Sequence, residues 1–296
     1  MNILISGATG LIGSALKEHL QQAGHSVYLL HRGRSTGSFY WNPENNQIHL
    51  DENIHLDAAV CLNGVNIGDH RWSQQRKQDI VNSRVQCTRL LSSALAKRFD
   101  PPEVFVSGSA IGFYGDTGDQ IKDETDGPGQ NFLSDIVTQW EAAAQPALDK
   151  GIRTVFIRSG VVLSPDGGAL KKMLLPFKLG LGGKVGNGSQ FMSWISLLDE
   201  IRAIQFVIEQ ASISGPVNIT APNPVTNDDF TQALGKALNR PTVLPMPELM
   251  VKLLFGEMGE LLLLGSNRIN SQILQKAGFK FEHKTVGEAL SHMLMK

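Results

Sequence analysis

A short apolar run, Asn2-Ile3-Leu4-Ile5-Ser6, leads straight into Gly7-Ala8-Thr9-Gly10-Leu11-Ile12-Gly13, and no other stretch restricts the fold so strongly. The run reads as a buried parallel strand, and Leu11 to Ala23 has the apolar spacing of a helix. Glycines between strand and helix permit a tight turn and close backbone approach. The free N–H groups of the first helical turn then attract a phosphate. Gly24 closes the helix, and His25 to Leu30 supplies a second strand at the distance a βαβ unit requires. A G-x-x-G-x-x-G spacing in this setting points to a dinucleotide pyrophosphate resting on Gly7, Gly10 and Gly13. An ordinary strand-to-helix turn is the alternative.

The second strand runs into His31-Arg32-Gly33-Arg34. An acidic residue near this point would accept hydrogen bonds from the ribose 2′-OH of NAD; cations instead suit the 2′-phosphate of NADP. Arg32 is therefore the expected phosphate ligand, with Arg34 as a second cation and a solvated basic turn as the competing reading. Thr36 to Asn53 reads as a hairpin around Asn45-Asn46. The strand Asp57 to Cys61 ends at Leu62, Asn63 and Gly64, expected against the adenosine ribose. Ser73 caps a long helix from Gln74 to Lys97, in which Asp79 and Arg84 read, on pattern alone, as solvent-facing charges.

Val104 to Ser107 is the next strand, running into Gly108-Ser109-Ala110-Ile111-Gly112-Phe113-Tyr114-Gly115. Ligands bind at this edge of doubly wound sheets, so Ser107, Ser109 and Tyr114 are the first candidates for chemistry. Ser107 is grouped with the cofactor contacts; packing under the turn is the competing reading for Tyr114. Phe132 to Leu148 is expected as one helix with Glu141 exposed. Arg153 to Arg158 is a sixth strand. Leu179 to Gln190, crowded with glycines, suits either a substrate loop or a set of turns. Asp199 to Ala211 reads as a helix and Pro216 to Thr220 as a late strand. Asn227 to Lys296 offers two or three helices and a short Phe279-Lys280-Phe281 strand.

With 42% hydrophobic and 19% charged residues and a formal net charge of −1, the chain has the balance of a soluble enzyme with a small-molecule partner. No block of like charge suggests nucleic acid or a polybasic membrane patch. No export signal precedes the first strand, and Cys61 and Cys87 are expected as buried free thiols in a cytoplasmic protein. The eight scattered histidines form no metal-ligand motif. A serine hydrolase is excluded for lack of a G-x-S-x-G elbow.

GATGLIG, SGSAIGFYG, RSGVVLSPDGG and FMSWISLLDE, in that order, resemble the extended short-chain dehydrogenase/reductases, and more closely the YfcH-like epimerase-family branch of the NAD(P)-dependent epimerase/dehydratase superfamily. LLPFKLGLGG and the C-terminal segment extend the resemblance over essentially the whole chain. It implies a Rossmann-type doubly wound parallel α/β sheet with a smaller C-terminal α+β substrate lobe. The corresponding boundaries are 1–220, with a substrate-loop insertion at about 164–192, and 221–296. The resemblance also implies NADP, with Gly7, Thr9, Gly10, Leu11, Ile12 and Gly13 at the pyrophosphate and His31 and Arg32 at the ribose phosphate. By the same likeness Leu62 and Asn63 flank the adenosine, Asp79 and Arg84 reach the cofactor, and the Val162 backbone sits near the nicotinamide.

The chain departs from that family where proton transfer is done. Active members use Tyr-x-x-x-Lys, the lysine lowering the tyrosine pKa from about 10 toward neutrality. Here the residues four places after Tyr28, Tyr40 and Tyr114 are Arg32, Glu44 and Gly118. Ser134 and Thr138 stand where the pair is expected, and Ser196 replaces the histidine usual after Trp-Ile. Two functions follow as expectations. One is an NADP-dependent oxidoreductase or epimerase, with Ser109 orienting a substrate carbonyl and Tyr114 donating a proton through water. The other is a non-catalytic NADP(H)-binding sensor.

Overall fold

The computed structural model describes residues 1–33 and 37–295. In chain order, β1 (Asn2–Ser6) feeds α1 (Leu11–Gln22), followed by β2 (Ser26–Arg32), β3 (Phe39–Asn42), β4 (Gln47–Leu50) and β5 (Ala58–Cys61). Next come α2 (Gln74–Lys97), β6 (Val104–Ala110), α3 (Phe132–Ala142), α4 (Gln145–Asp149), β7 (Arg153–Ser159), β8 (Val161–Leu163) and α5 (Gly168–Lys178). After β9 (Phe191–Met192), β10 (Trp194–Ser196), α6 (Leu197–Glu209), β11 (Gly215–Ile219) and β12 (Val225–Thr226), the remaining elements are helical. They are α7 (Asn227–Leu238), α8 (Glu248–Phe255), α9 (Glu257–Gly259), a π-turn over Glu260–Leu264, α10 (Gln272–Lys276) and α11 (Val286–Leu294).

Eight strands form one sheet in the order β11-β7-β6-β5-β1-β2-β3-β4, parallel throughout except the β3–β4 hairpin at one edge. Chain connections leave in opposite directions on either side of β1, which opens a crevice at the carboxyl end of the sheet beside β1 and β5. Alternation divides the core. Ile3, Ile5, Val60, Val106 and Ile157 face α1 and α6, while Leu4, Cys61, Phe105 and Phe156 face α2 and α4. Cys61 and Cys87 are buried and free. Among the described residues no helix is long and apolar enough to cross a membrane.

Several expectations are corrected. The helix expected over Phe132 to Leu148 is two, because Pro146, at the start of α4, lacks the N–H that a continuous helix needs. Phe279-Lys280-Phe281 is not a strand; Phe279 and Phe281 pack edge-to-face and join the α6 side of the core. The segment 168–178 forms α5 with Pro176 inside it, eight residues after Gly168. The hairpin expected around Asn45-Asn46 is present as β3–β4, turning at Asn46 in the left-handed region at φ 50°.

Candidate functional site

At Gly7 and Gly13 the glycine turn has no room for a side chain. Gly7 lies at φ +77°, and a Cβ there would stand 2.7 Å from the Leu62 carbonyl oxygen; one on Gly13 would stand 2.3 Å from the Gly7 carbonyl oxygen. Gly10 caps α1 without a side chain, and the first turn of α1 carries no acidic residue. The leading N–H groups thus face the crevice with neither a carboxylate nor a hydroxyl across them, an electrostatic arrangement that favours an anion. Thr9, Leu11 and Ile12 belong to this turn and helix start, and Ile12 packs on the α1–α6 core. The residues fit a pyrophosphate.

At the end of β2, His31 and Arg32 are exposed. Arg32 and Gly33 line a cavity of about 200 Å³ with Trp41, Asn42, Pro43 and Glu44. Arg32 also interacts with the Cys87 thiol, whose pKa burial pushes up to about 12. Arg34 lies outside the described residues.

Beyond β5, Leu62 and Asn63 stand directly over the glycine turn. Gly64 is held by Arg84, whose guanidinium would lie 3.0 Å from a Cβ on that glycine. Arg84 donates to the carbonyls of Ile80 (3.0 Å) and Val65 (3.1 Å) and lies 5.2 Å from the Trp140 ring. Burial lowers its pKa to about 10, with Arg76 adding repulsion. It is thus a half-buried clamp on the 62–65 turn and not the solvated charge that its helical position suggested. Asp79 is half-buried and accepts from Gln75.

At the ends of β6 and β7 the structure assembles a network that the pattern did not announce. Ser109 pairs in register with Arg158, so both point to the α3 face. Ser109 Oγ donates to Glu141 Oε1 at 2.6 Å. Arg158 grips that same carboxylate with both arms, Nε to Oε1 at 2.8 Å and Nη2 to Oε2 at 2.9 Å. Glu141, expected exposed, is drawn inward by this bidentate pair, its side chain only 14% accessible. Arg158 stacks 3.4 Å over Phe113 and donates through Nη1 to Tyr114 Oη at 2.9 Å. Burial opposes its charge, but Glu141 and Tyr114 outweigh that and raise its pKa.

Tyr114 donates to Asn218 Oδ1 at 2.8 Å, and Asn218 in turn ties to Glu124 and the Asn270 carbonyl. Burial pushes the phenol up to about 12, against the pull of Arg158. Both sides of its hydroxyl are engaged, and the shift is opposite to what proton exchange near neutral pH needs. The geometry therefore does not favour the proton-donor role expected of Tyr114; the ring braces Arg158.

Ser107 is fully buried, with Oγ directed to the Gly108 carbonyl. Val162 sits in β8, half-buried and paired with Ile195 of β10. Ser134 is buried and donates to the Gly112 carbonyl, whereas Thr138 is exposed. Ser196 caps α6 and bonds Asp199 and His283 in a separate buried cluster. Glu200, next in α6, is completely buried, held only by Ser159 Oγ at 2.5 Å, and its Oε2 has no partner.

The sequence pattern of the NAD dependent epimerase/dehydratase family matches residues 3–220, and that of a domain of unknown function, DUF1731, matches 246–293. Among curated proteins, the chain is 45% identical to the epimerase family protein MT2273 of Mycobacterium tuberculosis, covering 98% of this chain and 96% of that one. It is 36% identical to the human epimerase family protein SDR39U1, covering 99% of this chain and all of its relative. The crystal structure of human SDR39U1 (isoform 2) with NADPH superposes with a TM-score of 0.91 over the whole of both chains at 34% identity. A nucleoside-diphosphate sugar epimerase from Corynebacterium glutamicum gives 0.81 at 33% identity, over 99% of this chain and 58% of that one.

Proposed function

This chain belongs to the NAD dependent epimerase/dehydratase family, and from that premise we propose that it binds NADPH along the carboxyl edge of its sheet and acts on a small polar carbonyl or hydroxyl compound. The observation that carries the proposal is the uncapped start of α1 on a glycine turn too tight for a Cβ at Gly7 or Gly13, followed by Arg32 at the next strand end. NADPH in the human relative supports the same reading. Backbone N–H groups of Leu11, Ile12 and Gly13 hold the pyrophosphate, with Gly7, Thr9 and Gly10 shaping the turn; His31 and Arg32 receive the 2′-phosphate. Leu62, Asn63 and Gly64 flank the adenosine side, Asp79 and Arg84 reach toward the cofactor, Arg84 also bracing that turn through the Val65 carbonyl, and Ser107 and the Val162 backbone lie toward the nicotinamide. Residues 221–296 form the substrate lobe, fed by the loop at 164–192.

The cofactor, when bound, supplies hydride transfer. The protein's part is orientation. Ser109, fixed by the Glu141–Arg158 pair, offers its hydroxyl oxygen to a substrate polar group, while Tyr114 keeps Arg158 in place. A second reading has its own support: burial pushes the Tyr114 phenol up to about 12 and Ser134 is already bonded to the Gly112 carbonyl, so neither exchanges a proton near neutrality. That favours a cofactor-responsive protein without turnover.

The test is NADPH oxidation across a panel of carbonyl compounds, run beside Ser109→Ala. Turnover lost in the variant with NADPH binding intact supports the first reading, and binding without turnover supports the second. Absence of NADPH binding refutes both.

A further inference from the structure

The chain between β5 and α2 leaves the glycine turn and crosses to α5, and its hydrogen bonds show how residues 64–72 are held. The start of the segment is fixed from below. Leu62 N donates to the Ser6 carbonyl, and the Leu62 carbonyl presses on Gly7. Val65 N donates to Ser83 Oγ at 3.1 Å, the Val65 carbonyl accepts from Arg84, and the Asn66 carbonyl accepts from Arg76. The end is fixed by Trp72, whose indole donates to the Ile67 carbonyl at 2.9 Å and packs edge-to-face on Phe132 of α3. The middle reaches across to α5. Lys172 Nζ donates to the Gly68 carbonyl at 2.8 Å and to Asp69 Oδ1 at 2.6 Å. Among the described residues these are the only hydrogen bonds between the segment and α5.

The start of α5 in turn lies against α1. Cβ atoms on Gly167 and Gly168 would stand 3.0 and 3.6 Å from the Leu11 side chain, and Leu11 is the first residue of α1. The contacts therefore close a ring that runs from the glycine turn through Leu62 and Asn63, residues 64–72, Lys172, α5 and Leu11 back to the turn. A dinucleotide whose pyrophosphate sits on the first turn of α1 passes through that ring at its waist, with a bulky ring system on either side. The ring has to open for it to enter or leave. Its weakest link is at Lys172. The other links are backbone bonds or close packing, whereas here a lysine side chain 53% accessible meets an aspartate 41% accessible, and such exposed pairs open readily. The local backbone also suits movement. A Cβ on Gly68 would meet nothing nearer than 3.7 Å, and His70, beside Asp69, sits in the left-handed region at φ 63°, so the closed turn is held against a local backbone cost.

We propose that residues 64–72 form a strap across the nucleotide crevice, latched to α5 by Lys172, and that opening of this latch sets the rate at which NADPH enters and leaves. The proposal rests on the crevice being the NADPH site. A latch that must open in both directions governs exchange and not affinity, because it lies on the path into the site as well as on the path out. Weakening it therefore speeds entry and release alike. A lysine that instead held the nucleotide directly would, on removal, slow its capture or speed its loss, and affinity would fall.

Stopped-flow fluorescence of NADPH with the full chain measures both rates, entry on mixing and release on displacement by excess NADP⁺. Lys172→Ala and Asp69→Ala are each expected to raise both rate constants about two- to fivefold while moving the dissociation constant by less than about twofold. The double variant is expected to be no faster than the faster single one, since both substitutions undo the same latch. Faster release without faster entry, or a weaker affinity with slower entry, marks Lys172 as a structural or nucleotide-contacting residue and overturns the proposal. Unchanged rates in variants that still bind NADPH overturn it too, and leave the NADPH reading standing. Wild type that binds no NADPH overturns the strap together with the reading beneath it, so the two failures are told apart.

Discussion

Glu200 gives the sharpest test of how the core is built. Its carboxyl is buried beside Ser159 at the end of β7, with Oε2 unpartnered, and burial pushes its pKa from 4.5 up to about 8, only slightly offset by the serine. The folded protein thus keeps a proton here that the unfolded chain releases from about pH 4.5 upward. A raised carboxyl pKa gives stability that is complete below about pH 4.5 and is lost as pH rises through about 8. At 1.36 kcal/mol per pH unit, the gap between 4.5 and about 8 corresponds to roughly 5 kcal/mol, most of it lost between pH 5 and 8. Glu200→Gln removes the titration and keeps an acceptor for Ser159. For a chain of this length one kcal/mol moves Tm by about 1.6 °C, so wild type should lose about 6 °C relative to the variant between pH 5 and 8.5. Melting both proteins in parallel across that range cancels every other titrating group. Parallel Tm curves would refute the reasoning.

Gly13→Ala places a methyl group against the Gly7 carbonyl and should cost about 1–3 kcal/mol by overpacking, read as a lower Tm, together with at least about tenfold weaker NADPH binding in calorimetry. Glu141→Ala leaves the Arg158 cation buried without its carboxylate and should destabilise by about 3–5 kcal/mol in urea unfolding; Glu141→Leu with Arg158→Met should cost markedly less, because no charge is stranded. Tyr114→Phe removes the acceptor for Arg158 and the donor to Asn218, with an expected loss of about 1–3 kcal/mol in the same assay and no change in the pH dependence of any turnover below pH 9.

The nucleotide-binding half was legible because its signals are local. The β1–glycine turn–α1 unit and the Ser73 cap of α2 lie within a few residues of the groups they organise, and the structure has both at the expected places. The Ser109–Glu141–Arg158 network was not legible, since its members come from β6, α3 and β7 and meet only through sheet register. A signal was nonetheless present: Arg158 interrupts the apolar run of β7, and such a cation needs an acid from a facing helix. Glu141 adjoins Trp140 at the edge of the buried stripe of α3, which marks it as that acid. Glu200 was masked in the same way, lying between Asp199 and Ile201 in the first turn of α6, where an acid is expected at a helix start. The break between α3 and α4 was readable from Pro146, whereas the irregular Phe279–Phe281 segment carries strand-like residues whose burial against α6 is decided by tertiary packing.

The claim on which the functional account rests is that the crevice seats NADPH, with Arg32 on the 2′-phosphate. Calorimetric titration of wild type and Arg32→Ala with NADPH and with NADH tests it directly. A lost charge-assisted contact is worth about 1.5–3 kcal/mol, so NADPH should weaken about 10- to 150-fold while NADH changes little. Equal losses for the two nucleotides, or wild-type protein that binds neither, would contradict the account.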